Sequence, residues 1–226
     1  MTSAGPPPAV LFDIDGTLVD SNYLHVHAWH RAFHDADIEV EAWRIHRSIG
    51  MDGSTLVKSV TDNLDEDTGS RLKDSHSRYY KETASLLRPL PGARELLEAV
   101  DRMGLQVVLA TSAPEDELAI LREVLACDEL VSAVTSSKDV DMAKPQPDIV
   151  DVALQRAGVD AEHAVFIGDT VWDVEACNRA GLPTLAVLSG GVSRDELENA
   201  GAHAVFDNTR ELYERIDDTL IAKLPR

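Results

Sequence analysis

The amino-acid sequence predicts an α/β fold: a doubly wound parallel sheet with a second, α-helical domain inserted after the first strand. Three observations predict it. From residue 93 onward, short apolar runs alternate with helical segments, a pattern typical of a parallel sheet covered by helices on both faces. A further apolar run stands alone at residues 9–14, and residues 22–87, which separate it from the rest, carry only helical periodicity.

The first strand is predicted at Ala9–Ile14, and the helical segment follows it. Apolar residues at helical spacing predict four helices in this segment, centred near Ala28, Ile45, Val57 and Tyr79. The stretch RPLPGA, residues 88–93, ends the segment with two prolines and a glycine. The predicted domains are therefore an α/β core, residues 1–20 and 90–226, and a helical cap, residues 21–89.

After Pro91, helices and strands alternate regularly, and Gly or Pro marks most of the helix ends. The expected architecture of the core is therefore Rossmann-like. The predicted helices are Ala93–Met103, Pro114–Leu125, Pro147–Ala157, Trp172–Ala180 and Arg194–Ala200. The predicted strands are Gln106–Ala110, Leu130–Val134, Ala164–Ile167, Thr184–Leu188 and Ala204–Phe206.

Composition and charge exclude several classes of protein. The net charge of −19 over 226 residues would repel the phosphate backbone of a nucleic acid. No basic block favours an anionic membrane, no apolar run is long enough to cross a bilayer, and the start MTSAGPPPAV does not resemble a signal peptide. We expect a cytoplasmic monomer that has neither nucleic-acid nor membrane partners. Cys127 and Cys177 lack metal-binding spacing and are expected to be buried thiols, although a disulfide stays open.

Polar residues follow four of the predicted core strands or the loops after them. In a doubly wound sheet, ligands bind beyond the carboxyl ends of the strands. The first strand ends in LFDIDGTLVDSN, where Asp13 and Asp15 are two residues apart and so project to the same side. The other candidates are Thr111 and Ser112 in LATSA, Lys144 in AKPQP, and Asp169 and Asp173 in GDTVWD.

These side chains together have the chemistry of phosphoryl transfer. A carboxylate can attack phosphorus as a nucleophile, while hydroxyl groups and a lysine can hold phosphoryl oxygens. Several carboxylates beside a phosphate would repel one another, and ligands that are all oxygen favour Mg²⁺ over Zn²⁺. The sequence has no Walker A motif, which argues against a nucleoside triphosphatase of that kind.

Four motifs occur in the order DIDGT, ATS, AKP and GDTVWD. In this order, and with the helical insertion, they resemble the haloacid dehalogenase-like (HAD) superfamily. The resemblance spans nearly the whole chain. Within the superfamily, the sequence is similar to the group with a small helical cap, which includes phosphoglycolate phosphatase-like and β-phosphoglucomutase-like proteins.

The resemblance implies a role for each core residue. Asp13 would be the nucleophile, and Asp15 would protonate the leaving oxygen and then activate water. Lys144, with Thr111 and Ser112, would hold the transferring phosphoryl group.

The resemblance also implies a Mg²⁺ site. Its ligands would be Asp13, the backbone carbonyl of Asp15, and Asp169. Asp173 would complete the site as a ligand or through water, and the sequence alone also allows it to favour a helix N-terminus.

In the cap, the resemblance implies that His25 lies near the active site, although core packing is an alternative for it. Arg47 and the loop IGMDGS, residues 49–54 with Gly50 and Met51, match the position at which the family's cap contacts the leaving group; an ordinary helix connection is the alternative. His30 and His34 are spaced as metal ligands could be, but without a third ligand we expect a solvated helix face.

The expected function is a Mg²⁺-dependent phosphatase that hydrolyses a small phosphomonoester, of the phosphoglycolate or sugar phosphate type, through an aspartyl-phosphate. Asp15 argues against dehalogenation, which needs no acid. A β-phosphoglucomutase-like enzyme is the first alternative. The resemblance also shows departures from the mutases, which carry other residues at the positions of Ser21, Gly168, Ile49 and Gly53. A non-catalytic sensor of phosphorylated metabolites is the alternative from another class; the paired acids Asp13 and Asp15 argue against it.

Overall fold

The computed structural model describes residues 5–62, 64–139, 144 and 146–225. At its centre is a sheet of six strands, and every pair of neighbours in it is parallel. The strands are β1 Ala9–Phe12, β2 Gln106–Leu109, β3 Val131–Val134, β4 Ala164–Gly168, β5 Thr184–Val187 and β6 Ala204–Phe206. Their order, β3-β2-β1-β4-β5-β6, reverses direction between β1 and β4, where doubly wound folds bind their ligands. The predicted fold class is confirmed.

Ten α-helices lie within the described residues, and four of them belong to the segment between β1 and the stretch RPLPGA at residues 88–93. These four are α1 Asn22–Asp35, α2 Ala42–Ser48, α3 Gly53–Val60 and α4 Glu66–Glu82. The others are α5 Ala93–Arg102, α6 Glu115–Leu125, α7 Asp148–Ala157, α8 Val171–Ala180, α9 Arg194–Ala200 and α10 Thr209–Glu214. The four helices expected in this segment are thus present. The division into a core and a cap at residues 21–89 stays a prediction.

The strand β1 is buried on both faces. Val10 and Phe12 pack on one face of the sheet with residues of α5, α6 and α10, while Ala9 and Leu11 pack on the other with α7 and α8. All four residues have 0% exposure, and burial of each large side chain stabilises the fold by about 1.5–3 kcal/mol. An apolar run without alternation is the pattern that such a doubly covered strand requires.

Two features of the core differ from the sequence expectation by more than one residue. β1 ends at Phe12 rather than Ile14, because Asp13 makes one last hydrogen bond, from its N–H to the carbonyl of Ile167 at 2.9 Å, before the chain turns. The helix α10 was not predicted. Its side-chain cap is Asn208, which accepts a hydrogen bond from the N–H of Glu211, and six residues are too few for an apolar period to be recognised.

The inserted helices have their own apolar centre. Trp29 and Phe33 of α1 are buried together with Tyr79 and Tyr80 of α4. Asp52 caps α3 by accepting hydrogen bonds from the N–H groups of its first turn, an interaction that contributes about 1 kcal/mol. Packing of the α1 and α4 faces, with local caps, therefore accounts for this helical unit.

The two segments that connect the inserted helices to the sheet lie side by side. Val19 and Pro89 form an antiparallel bridge. The N–H of Asp20 donates to the carbonyl of Arg88 at 2.9 Å, and the N–H of Leu90 donates to the carbonyl of Leu18 at 2.8 Å. These hydrogen bonds join residues 18–20 and 88–90 into one short two-stranded ribbon.

Both cysteines are free and buried, as expected, and burial raises the pKa of Cys177 to about 12. Of the helices in the described part of the chain, none is long and apolar enough to traverse a lipid bilayer.

Candidate active site

The sequence-predicted core residues meet at the carboxyl edge of the sheet. Asp13 directly follows β1 and Thr111 lies just beyond β2, while Asp169 directly follows β4. Because β1 and β4 are neighbours, Asp13 and Asp169 flank the point at which the strand order reverses. The topology therefore brings together residues that are far apart in sequence.

Three carboxylates and one ammonium group form the centre of this edge. Asp13, Asp169 and Asp173 are buried, and each offers a carboxylate oxygen within 4.8 Å of the others. The Nζ atom of Lys144 lies 2.6 Å from Oδ1 of Asp13 and 2.6 Å from Oδ1 of Asp173. Lys144 is itself 2% exposed, so its charge is directed to these acids rather than to solvent. Ala143 and Pro145, which complete the AKP motif, lie outside the described residues.

The charged groups of this cluster change one another's pKa values. Burial raises the pKa of Asp13 to about 7; Lys144 opposes that change, and Asp173 and Asp15 add to it. Burial also raises the pKa of Asp169 well above its usual range, with Asp173 and Asp13 acting in the same direction. A single lysine therefore leaves negative charge uncompensated in a buried place, and a bound cation would relieve it.

Asp169 is held by two residues that the sequence analysis did not assign to the site. Thr17 Oγ1 donates to its Oδ1 at 2.9 Å, and Asn22 Nδ2 donates to its Oδ2 at 2.8 Å. The backbone approaches as closely: a Cβ atom at Gly190 would stand 1.8 Å from Oδ2 of Asp169, and one at Gly16, where φ is +74°, would stand 2.4 Å from it. Thr17 and Gly16 belong to DIDGT, which was the only sequence signal for this arrangement.

Asp173 has two partners of different kinds. Its Oδ2 accepts hydrogen bonds from the N–H of Thr170 at 3.0 Å and from Thr170 Oγ1 at 2.6 Å, which closes a capping box at the start of α8. Its Oδ1 faces Lys144. Both interpretations drawn from the sequence, helix N-terminus and site residue, therefore describe the same carboxylate.

Asp15 contacts the inserted helices rather than the acid cluster. Its Oδ1 accepts a hydrogen bond from Ser21 Oγ at 2.5 Å and lies 3.3 Å from Nε2 of His25 on α1. Burial raises the pKa of Asp15, but the positive charge of His25 and the hydrogen bonds from His25 and Ser21 outweigh burial and lower it. Asp13 and Asp15 are therefore shifted in opposite directions although only one residue separates them.

His25 belongs to an aromatic stack behind Asp15. Its Nδ1 lies 3.0 Å from Nε2 of His76, and its ring stacks on Tyr80 at a centroid distance of 3.9 Å. Burial lowers the pKa of His25 but the charge of Asp15 outweighs burial and raises it, whereas burial and the charge of His25 hold the pKa of His76 well below its usual range. His25 is thus equipped to carry a proton, with neutral His76 as its acceptor.

A cavity of about 770 Å³ separates this edge from the inserted helices. It is lined from the core by Asp13, Asp15, Thr111, Ser112 and Lys144, and from the helical segment by His25, Gly50 and Met51. Thr111 is buried, and its Oγ1 accepts from the N–H of Ala113 at 3.0 Å. All the candidate residues of the core except Asp169 and Asp173 therefore face the same space.

Arg47 does not line this cavity. Its guanidinium pairs with Glu196 on α9, and its carbonyl accepts a hydrogen bond from Trp172 Nε1 at 3.3 Å. Both contacts join the inserted helices to the core outside the cavity.

A residue that the sequence analysis did not single out, Glu117 on α6, lines the cavity instead; in the sequence it is one acidic residue in the run PEDE. The histidines His30 and His34 are exposed, as expected.

Comparisons with known proteins agree with this geometry. A family model for haloacid dehalogenase-like hydrolases matches residues 10–187. A phosphoglycolate phosphatase of Rhodospirillum rubrum is 30% identical over 216 residues, which cover 91% of this chain and 89% of that protein. An N-acetylmuramic acid 6-phosphate phosphatase of Pseudomonas aeruginosa is also 30% identical, over 94% of this chain and 96% of that protein.

Among solved structures, a hydrolase from Pseudomonas syringae has the same fold, with a TM-score of 0.90 and 34% sequence identity; the match covers 93% of this chain and 98% of that one. The family match, the identities of the relatives and the shared fold extend over most of the chain. The chain therefore belongs to the haloacid dehalogenase-like hydrolase family, as an enzyme of its phosphatase type.

Proposed function

We propose that this protein is a Mg²⁺-dependent phosphatase that hydrolyses small phosphomonoesters through a phosphorylated Asp13. The observation that carries the proposal is the pair Asp13 and Asp15, which face one cavity but have different partners. Two carboxyl groups whose environments push their pKa values apart are suited to two different roles. Simple binding of a phosphorylated metabolite would need no such difference.

In the first step, an oxygen of Asp13 forms a bond to phosphorus as the bond from phosphorus to the leaving oxygen breaks. Lys144, 2.6 Å from Asp13 Oδ1, favours the ionised, nucleophilic form of the carboxylate and lies where it can also hold a phosphoryl oxygen. The hydroxyl groups of Thr111 and Ser112, on the same cavity wall, are the further groups proposed to hold the phosphoryl oxygens.

The leaving oxygen needs a proton, and the pair of Asp15 and His25 is proposed to supply it. Asp15 has a lowered pKa and His25 a raised one, so the resting proton is held on His25, 3.3 Å from the carboxylate of Asp15. Asp15 passes the proton to the leaving oxygen. In the second step, the Asp15 carboxylate takes a proton from water as that water attacks phosphorus and releases Asp13.

The donor set of the acid cluster fits a hard divalent cation. Its carboxylate oxygens lie within 4.8 Å of one another, and oxygen-only donors with uncompensated charge suit Mg²⁺. Asp13 and Asp169, with the backbone carbonyl of Asp15, are the proposed ligands, and Asp173 completes the site directly or through water. When bound, Mg²⁺ would neutralise charge on the phosphoryl oxygens and on the acids.

The test is phosphate release from p-nitrophenyl phosphate by the purified protein with and without Mg²⁺. We expect release that depends on Mg²⁺ and stops with a chelator. We also expect mass spectrometry of acid-quenched Asp15→Asn protein to find a phosphate on the peptide that contains Asp13. Tight binding of sugar phosphates with no phosphate release would contradict the proposal and indicate a sensor instead.

A further inference from the structure

Glu117 lies in the first turn of α6, the helix that follows the loop of Thr111 and Ser112. It lines the same cavity as Asp13 and Asp15, although it belongs to none of the four motifs. It is only 3% exposed. The neighbouring acids of the helix, Glu115 and Asp116, are instead exposed and pair with Lys138 and Lys81, respectively.

Glu117 is a buried carboxylate whose hydrogen bonds are incomplete. Its Oε1 has no hydrogen-bond partner among the residues that the structure describes. Burial raises the pKa of Glu117, whereas the charge of His25 and a hydrogen bond from Ser77 lower it, and Asp15 and Asp116 raise it. A buried acceptor without a donor is destabilising, and no ion pair to a lysine or arginine offsets it among the described residues.

The position of Glu117 decides which part of a substrate it would meet. It is close enough to His25 and Asp15 for their charges to change its pKa, and Asp15 is the group proposed to protonate the leaving oxygen. A leaving group whose oxygen lies at Asp15 would extend into the cavity that Glu117 lines. The cavity, at about 770 Å³, has the size of a typical small-molecule site.

The chemistry of an unpartnered carboxylate oxygen selects among leaving groups. A hydroxyl group donates a hydrogen bond to it, whereas a second carboxylate at the same place would be repelled and would also lack a donor. The cap contributes Lys58 and Lys73 to the cavity, but Lys73 already donates to Ser54 Oγ at 3.0 Å, and both lysines come from the inserted helices rather than from the wall beside Asp15.

We propose that Glu117 is a specificity-determining residue that accepts a hydrogen bond from a hydroxyl group of the leaving group, and so favours phosphorylated polyols and sugars over phosphorylated carboxylic acids. This inference rests on the proposed phosphatase function and narrows its substrate class. The two 30%-identical relatives carry the names of phosphatases for different substrates, so their names do not make this choice.

The experiment compares two substrates that differ at one carbon. Glycerol 3-phosphate carries a CH₂OH group where 3-phosphoglycerate carries a carboxylate. We expect wild-type kcat/KM to favour glycerol 3-phosphate by at least about 10-fold, since a hydrogen bond to a charged group has about that effect or more. Glu117→Gln, which removes the charge and keeps the shape, should reduce the ratio by at least about 10-fold, mainly through KM. The matched control Glu115→Gln, on the same helix but outside the cavity, should leave the ratio unchanged.

Binding separates failure of this inference from failure of the proposed function. In Asp13→Asn protein, calorimetric titration with both phosphates, with and without Glu117→Gln, measures the same preference without turnover. A preference for glycerol 3-phosphate that Glu117→Gln removes supports the inference even if no turnover occurs. A ratio that Glu117→Gln does not change, in protein whose melting temperature shows that it is folded, overturns it, as does a wild-type preference for 3-phosphoglycerate.

Discussion

Asp13 and Asp15 stand two positions apart, yet one is held by the core and the other by the inserted helices. The partners of Asp13 are Lys144 and the acids of the sheet edge. Those of Asp15 are Ser21, at the start of the insertion, and His25 on its first helix. The surroundings of Asp13, the proposed nucleophile, therefore come from the core, whereas those of Asp15, the proposed acid–base group, come from the inserted helices. If the inserted helices move relative to the sheet, we expect the movement to change the partners of Asp15 and to leave those of Asp13 in place.

The largest expected effect comes from replacing Asp13, the carboxylate whose partners belong to the core. Asp13→Asn should lower kcat by roughly 10⁴-fold or more, because the covalent step loses its nucleophile. Folding should be retained, since Lys144 keeps Asp173 as a partner. Steady-state phosphate release and thermal denaturation measure the two properties, and an active Asp13→Asn enzyme would refute the assignment of the nucleophile.

Replacement of Asp15, whose partners belong to the inserted segment, should lower kcat less than replacement of Asp13, and should change which form of the enzyme accumulates. Asp15→Asn should lower kcat by about 10²–10⁴-fold, the usual contribution of general acid–base catalysis. The phosphorylated enzyme should accumulate when the leaving group is p-nitrophenol, because that leaving group needs little help from an acid while the water still needs a base. Rapid-quench kinetics measures the accumulation, and its absence would place Asp15 outside the second step.

His25 sharpens the comparison because, in the proposed mechanism, it holds the proton that Asp15 passes on and therefore acts only through Asp15. His25→Ala should lower kcat by about 10-fold, in line with loss of a hydrogen bond to a charged group. His25 lowers the pKa of Asp15, so its removal should raise that pKa and move the acid limb of the kcat profile to higher pH. His27→Ala, on the exposed side of the same helix, should change neither; an unshifted acid limb in His25→Ala would refute the coupling.

The smallest expected effect is on stability. The pKa of Asp13 in the folded protein is raised to about 7 from 3.8, so between these pH values the folded state binds more protons than the unfolded state does. The free energy of unfolding should therefore fall as pH rises from 4 to 7. Mg²⁺ should raise the melting temperature at both pH values. The increase should be larger at pH 8 than at pH 5 by a few degrees, because Mg²⁺ binds the ionised acids.

Calorimetry at both pH values measures this difference, with Na⁺ at equal ionic strength as the control for screening. In Asp13→Asn protein, the free energy of unfolding should fall less as pH rises. This difference separates the effect of the Asp13 carboxyl group from the repulsion within a chain of net charge −19. A Mg²⁺ effect that is equal at the two pH values would contradict the proposed metal site.

The fold class and the clustering of Asp13, Thr111 and Asp169 could be predicted from the sequence because both follow from the order and the ends of the strands. A parallel sheet gathers the residues that follow its strands at one edge, so Asp13, Thr111 and Asp169 could be placed together from strand positions alone. The motif of Lys144 belongs to a loop after the third strand rather than to the end of that strand, so the strand rule indicates its place less directly.

Residues whose role depends on contacts between the inserted helices and the core were missed. Thr17 and Asn22 hold Asp169 only because the turn after β1 brings them under β4. His76 and Glu117 are ordinary members of helices in the sequence, and only the packing of α4 and α6 around the cavity makes them neighbours of Asp15. Arg47, one of the candidates from the sequence, pairs with Glu196 and does not line the cavity.

The ribbon of hydrogen bonds between Asp20 and Arg88, and between Leu18 and Leu90, has a consequence for how the enzyme can change. The insertion leaves the sheet and returns to it at adjacent positions, so to the rest of the chain it is a loop that is already closed. The entropy of closing a loop grows only slowly with its length, and an insert of another size or shape would burden the folding of the sheet little. The ribbon therefore allows the inserted helices to change in size or shape, while the cavity wall that carries Glu117 stays with the sheet.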